Sequence, residues 1–178
     1  MGDNWRARRV ILVTGHRREN FGGGMEAICR ALRRLAANFP EVLFIYPVHL
    51  NPNVRGPVSK LLHGMGNIRL VDPQSYRIFV ALMRAAYIIL TDSGGVQEEA
   101  LSLGKPVLVM RNTTERNEGL EAGAVKLVGA DEENIVRGVS NLLRNKRSSE
   151  MPTVATNPYG DGLASRRIVE AVNSFFSR

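Results

Sequence analysis

The chain has 178 residues, 44% of them hydrophobic, which is enough for one domain with a proper core, or two at most. Its single cysteine, Cys29, rules out an intrachain disulfide, and no window approaches the roughly 18 apolar residues of a membrane span. The formal charge of +7, from 24 Lys+Arg against 17 Asp+Glu, favours anionic partners such as nucleic acid, a phosphorylated ligand or an acidic surface. The basic residues are dispersed, however, as RARR, RRLA, RNKR and SRR, where solvated helix faces and turns are the simpler reading. Aromatic content is only 6%, with no zinc-finger spacing and no aromatic pattern of an RNA-recognition sheet. The opening MGDNWRARRV lacks the apolar run of a signal peptide, so a soluble cytoplasmic protein in a reducing compartment is the expectation.

The chain opens with a β-branched apolar run, Val10 to Val13, that reads as a buried strand. Met25 to Pro40 carries apolar residues at helical spacing and stops at the proline. VLFIYPV is a second strand, VRGPVSKLLHGMG a short helix closed by glycine, and NIRLVDP a third strand. YRIFVALMRAA predicts a helix, YIILTDS a fourth strand, and GVQEEALSLGK a helix ended by a Leu-Gly-Lys-Pro turn. PVLVM and VKLVG are the fifth and sixth strands. DEENIVRGVSNLLRN is a long helix with Asp131 placed to cap it. Lys146 to Asn157 reads as an exposed connector, and DGLASRRIVEAVNSFF as a final helix. Short apolar strands separated by helices specify an α/β fold, a Rossmann-like parallel sheet of about six strands with helices on both faces.

In such sheets ligands bind beyond the carboxyl ends of the strands, where the strand order switches. Three loops leaving strand ends carry unusual chemistry: TGHRRENFGGG after the first, DPQSYRIF after the third and TDSGG after the fourth. Asp92-Ser93-Gly94-Gly95 also spells the surroundings of the trypsin-like nucleophile, but that site needs an all-β barrel and a triad. Nor does the loop match the Gly-x-Ser-x-Gly nucleophile elbow, because Thr91 stands at the first glycine position. A strand, two glycines and a helix instead make a phosphate cradle: the first helical N–H groups are unpaired, the helix dipole is positive there, and Ser93 adds a donor. A plain strand-to-helix turn would welcome the same residues, and the loop alone does not decide between the two. Glu98 and Glu99 follow within the first two turns, either as favourable charge near the helix N-terminus or as acceptors for ribose hydroxyls. Neither a Walker A sequence nor Gly-x-Gly-x-x-Gly occurs. One cysteine and scattered histidines give zinc little support, and His63 belongs to no motif.

VTGHRREN, YPVHLNPNV, DPQSY, TDSGGVQEEALSLGKPVLVMRNTTERNEG and NPYGDG occur in that order from Val13 to Gly162. Together they resemble the non-hydrolysing UDP-N-acetylglucosamine 2-epimerases of bacteria. The resemblance implies one half of a glycosyltransferase-B type fold, in which two Rossmann-like halves face each other across a cleft. Residues 1–178 are then a single C-terminal nucleotide-binding domain, with the N-terminal half absent. The implied reaction interconverts UDP-GlcNAc and UDP-ManNAc at carbon 2 by elimination and re-addition of UDP, with no redox cofactor or metal. It needs a base for the C2 proton and stabilisation of the departing pyrophosphate. The family's acid/base carboxylates lie in the N-terminal half, so this chain alone is not expected to complete the cycle.

By the same resemblance, Ser93, Gly94 and Gly95 bind phosphate, Glu99 holds the ribose, and Gln74 and Phe79 belong to the uracil pocket. Arg116 matches a further nucleotide-site position, where its charge suits the pyrophosphate. His16 matches a histidine important for catalysis; at a strand end it can donate a hydrogen bond to the leaving phosphate, or a proton when charged. Arg17 and His49 resemble positions of a regulatory UDP-GlcNAc site in members that bind a second substrate molecule as activator. Phe79 also reads simply as helix core, and NPYGDG has no chemical role that the sequence identifies. Family members are commonly homodimers. The competing readings are a stand-alone UDP or nucleotide-sugar binding module, a glycosyltransferase half, against which GHRREN and TTERNEG stand, and a nucleic-acid-binding protein using the positive charge.

Overall fold

The computed structural model describes residues 5–145 and 157–177. The connector expected from Lys146 to Asn157 lies, except for Asn157 itself, outside the described residues. The strands are β1 (Val10–Thr14), β2 (Leu43–Pro47), β3 (Ile68–Val71), β4 (Ile88–Thr91), β5 (Val107–Val109) and β6 (Val125–Leu127). The helices are α1 (Gly23–Asn38), α2 (Pro52–Leu62), α3 (Tyr76–Ala85), α4 (Gly94–Ser102), α5 (Asn117–Glu121), α6 (Glu132–Arg144) and α7 (Ala164–Phe176). All strand pairings are parallel, in the order β3-β2-β1-β4-β5-β6. This is the doubly wound Rossmann order, and the sequence switches direction between β1 and β4.

Alternation along each strand divides the core in two. Ile11 and Val13 of β1, Phe44 and Tyr46 of β2 and Leu90 of β4 pack beneath α1, α2 and α6. Val10, Leu12, Leu43, Ile45 and Ile89 face α3 and α4 on the other side. Because both faces are covered, the strands read as continuous apolar runs, and that is why they are visible in the sequence. In α1 the apolar spacing buries Met25, Ile28, Leu32 and Leu35 completely, each contributing about 1.5–3 kcal/mol. Asp131 caps α6 as expected, its carboxylate accepting from Asn134 N at 2.8 Å.

Three local features depart from the expectation. α2 begins two residues earlier than Val54, because the Asn51 side chain accepts from Asn53 N and Pro52 suits the first helical turn. α5 and the 3-10 turns Trp5–Ala7 and Arg18–Asn20 carry too little periodicity to be anticipated. Helix α7 forms but stays exposed throughout, with Ile168, Val169, Val172, Phe175 and Phe176 all open to solvent among the described residues.

Many arginines have carboxylate or carbonyl partners. Arg30 and Arg34 pair with Glu132 and Glu133 across α1 and α6, Arg166 with Glu170, and Arg167 with Asp161. Arg8 donates to the carbonyls of Pro40, Glu41 and Val42. Part of the positive charge is thus engaged in pairs on solvated faces. No helix among the described residues is long and apolar enough to cross a membrane.

Candidate functional site

The carboxyl ends of β1 and β4 lie side by side, with Thr14 opposite Thr91 and their hydroxyls 2.5 Å apart. Past this point the two chains separate to opposite faces of the sheet and leave a crevice. Asp92, the first residue beyond β4, is wholly buried. Its Oδ2 accepts from His16 N at 2.8 Å, Arg17 N at 2.8 Å and Asn20 Nδ2 at 3.1 Å. One carboxylate therefore folds the loop after β1 over the end of β4, through charge-assisted bonds stronger than neutral ones. Asn20 extends the tie to Met110 O at the end of β5. From the other side the Tyr46 hydroxyl donates to Gly15 O at 3.0 Å. Burial raises the Tyr46 phenol well above its ordinary range, so it stays a donor. A Cβ on Gly15 would stand 3.1 Å from that hydroxyl, which explains a glycine before His16.

His16 reaches an open cavity of about 250 Å³ lined by Thr14, His16, His49, Gln74, Phe79 and Val96 together with two prolines. Its ring stacks on His49 with centroids 5.4 Å apart and planes 19° apart. Gln74 is tied to its own loop by a bond from Nε2 to Asp72 O. Phe79 serves both readings: it packs against the core on the α3 side and lines the cavity. His49, expected at a separate regulatory position, borders the same cavity as His16, whereas Arg17 is not among its lining residues.

Along the adjoining helix, Ser93 is the N-cap of α4 and its hydroxyl makes no capping bond. Its N–H instead donates to Thr91 Oγ1. Gly95 has open space where a side chain would be, and Gly94 is buried beneath the Arg116 guanidinium, whose Cζ lies 3.1 Å from where a Gly94 Cβ would stand. Glu98 holds Arg116 there, accepting from Nε at 2.8 Å and raising the guanidinium above its ordinary value. The helix N-terminus and a guanidinium thus bring two positive features to one place, which suits a phosphate or diphosphate. The Glu99 carboxylate, half-buried one turn further on, makes no hydrogen bond or ion pair among the described residues.

Three further groups escaped the sequence reading. Arg111, buried, donates to Glu19 at 2.7 Å and to Glu115 at 3.0 Å, joining the loop after β1 to the loop after β5. That arginine, then Glu115's own backbone N–H, holds the Glu115 carboxyl down to about 2. The Tyr159 hydroxyl of NPYGDG accepts from Gly119 N at 3.1 Å and donates to Arg116 O at 3.3 Å. The motif without a chemical role is thus the clasp on the backbone that carries Arg116. No group of three or more His, Cys, Asp or Glu among the described residues could hold a metal ion.

The family model for UDP-N-acetylglucosamine 2-epimerase matches residues 1–173. The UDP-N-acetylglucosamine 2-epimerase of Yersinia pestis is 58% identical over 167 residues, covering 94% of this chain and 44% of that protein. The Escherichia coli protein of that name is 55% identical over the same length and coverage. Among solved structures, the UDP-GlcNAc 2-epimerase of Neisseria meningitidis bound to UDP-GlcNAc superposes with a TM-score of 0.90 at 49% identity, covering 94% of this chain and 45% of that one. The S. aureus MnaA–UDP co-structure gives a TM-score of 0.93 at 42% identity, covering 98% and 48%. The chain spans about half the length of the curated relatives it matches.

Proposed function

Because this chain belongs to the UDP-N-acetylglucosamine 2-epimerase family, we propose that it supplies the UDP-gripping half of an enzyme that interconverts UDP-GlcNAc and UDP-ManNAc. The observation that carries the reading is the Arg116 guanidinium seated over Gly94 at the open N-terminus of α4, beside the His16 cavity. The diphosphate lies against Ser93, Gly94, Gly95 and Arg116. Glu99 accepts from ribose hydroxyls, and the uracil enters between Gln74 and Phe79. When UDP departs from the sugar, negative charge builds on the diphosphate, and preorganised donors around it lower that barrier without reorganising. His16 acts at the same place, donating to the leaving oxygen. The carboxylates that remove and return the C2 proton belong to a partner N-terminal half, with which residues 1–178 form the cleft as one domain. The exposed apolar side chains of α7 support a further covered surface of this kind. A lone cysteine fits the cytoplasm as the place of action.

Calorimetric titration with UDP tests the grip, with uridine and an RNA oligonucleotide as controls. Saturable UDP binding is expected, and loss of one charge-assisted hydrogen bond in Ser93→Ala weakens it roughly 10-fold or more. Glu99→Ala weakens UDP and uridine alike, because ribose is common to both. RNA binding tighter than UDP binding refutes the reading. Mixing this chain with a separately produced N-terminal half then separates the UDP-gripping half of an epimerase, with which epimerisation is recovered, from a pure binding module, with which it is not.

A further inference from the structure

The Asp92 carboxylate is only half explained by the loop it anchors. Oδ2 takes three donors, but Oδ1, equally buried, accepts no hydrogen bond among the described residues. A buried carboxylate oxygen without a donor is costly, and such atoms in native folds generally have a reason. The nearest basic atom is His16 Nδ1, 3.7 Å from Oδ1, a little beyond hydrogen-bond length. None of the other polar neighbours makes a hydrogen bond to Oδ1. The Thr14 and Thr91 hydroxyls bond to each other, and Thr91 also accepts from Ser93 N. His49, stacked on the His16 ring, accepts through its Nδ1 from Asn51 N. Asp92 and His49 are the charged or titratable groups that face His16; its other cavity neighbours, Gln74, Phe79 and Val96 among them, are uncharged.

We propose that Asp92 is a positioning residue for His16, holding its backbone through Oδ2 and its ring through an Nδ1–H to Oδ1 bond. The hydrogen bond at one ring nitrogen decides what the other can do. With Nδ1 committed to Asp92, Nε2 is the atom that gains and loses the proton, and it is the nitrogen available to a ligand in the cavity. The consequence for the leaving diphosphate rests on the function proposed above. The tautomer itself does not.

The test is long-range ¹H–¹⁵N correlation on the labelled chain at a pH of about 9, where an ordinary imidazole is neutral. The sequence has only three histidines, and His16→Gln identifies the His16 signals. The wild type is expected to show His16 as the Nδ1–H tautomer. Asp92→Asn keeps an oxygen for the three Oδ2 donors but turns an amide NH₂ toward Nδ1, so His16 is expected to invert to the Nε2–H tautomer. A purely structural role for Asp92 would leave the tautomer unchanged in Asp92→Asn, and that result overturns the proposal. Should Asp92→Asn not fold, the wild-type spectrum decides alone, since an Nε2–H tautomer there overturns it too. UDP calorimetry reads the other question separately. An Nδ1–H tautomer without UDP binding sinks the function and spares the Asp92 contact; the Nε2–H tautomer with UDP binding does the reverse.

Discussion

Tyr159→Phe removes one oxygen and nothing else, since the ring keeps its packing against the core on the α4 side. What is lost is the bond from Gly119 N at 3.1 Å and the bond to Arg116 O at 3.3 Å. Gly119 lies in the first turn of α5, whose N-cap, Arg116, offers no side-chain capping bond. The Tyr159 hydroxyl therefore does the work of a cap from forty residues away. Losing a cap costs about 0.5–2 kcal/mol, and leaving a buried donor unpaired about 1–3 kcal/mol. A value near 1.5 kcal/mol, where those ranges overlap, lowers Tm by about 3–6 °C in a chain of this size. Differential scanning calorimetry reads the Tm, and UDP titration of the same sample reads the site. Affinity for UDP should fall several-fold, because the backbone bearing Arg116 is no longer clasped. A Tm within about 1 °C of wild type would refute the capping argument. A lowered Tm with unchanged UDP affinity would refute the link from NPYGDG to the phosphate site.

Burial pushes the Cys29 thiol up to about 12, above its unfolded value. Its contribution to stability is thus fully present below about pH 8.5 and lost as pH rises toward about 12; native protein should resist a thiol reagent at neutral pH and react only on unfolding, and rapid native labelling would contradict this. Glu115 has the opposite sign: with its folded value near 2, its contribution holds above the ordinary carboxylate range and disappears as pH falls toward about 2. Glu115→Gln should therefore flatten the acid limb of a urea-midpoint titration, and an unchanged limb would show that the Arg111 contact does not matter in solution. Gly138→Ala in α6 places a Cβ 3.1 Å from Val128 Cγ1 and 3.3 Å from Leu108 Cδ1. Overpacking at about 1–3 kcal/mol outweighs the helix-propensity gain of about 1 kcal/mol, so chemical denaturation should show a net loss of stability.

The elements that could be read from the sequence share one property: each carries its own pattern. β1, β2 and β4 are apolar runs because both sheet faces are covered, and α1 and α6 have a buried stripe with a stop at Pro40 or a cap at Asp131. α5 could not be read, because its five residues have no side-chain cap of their own and depend on Tyr159. His16, Gln74 and Phe79 could be singled out by their motifs, and the fold brings all three to the rim of one cavity with His49.

The sequence by itself determined the alternation of strands and helices, the Ser-Gly-Gly turn into α4 and the family motifs in their order, since each is a property of neighbouring residues. Only the tertiary structure decided that Asp92 would be buried under the loop after β1, that Arg116 would lie over Gly94, and that Arg111 would join two loops through Glu19 and Glu115. Those outcomes depend on the parallel pairings of β1 with β4, which sets residues more than seventy positions apart side by side, and of β4 with β5, which brings the loop after β5 beside the start of α4. Local patterns record backbone periodicity and burial. The partner of a particular charge is set by which strand ends the sheet brings together, and no short window of sequence contains that information.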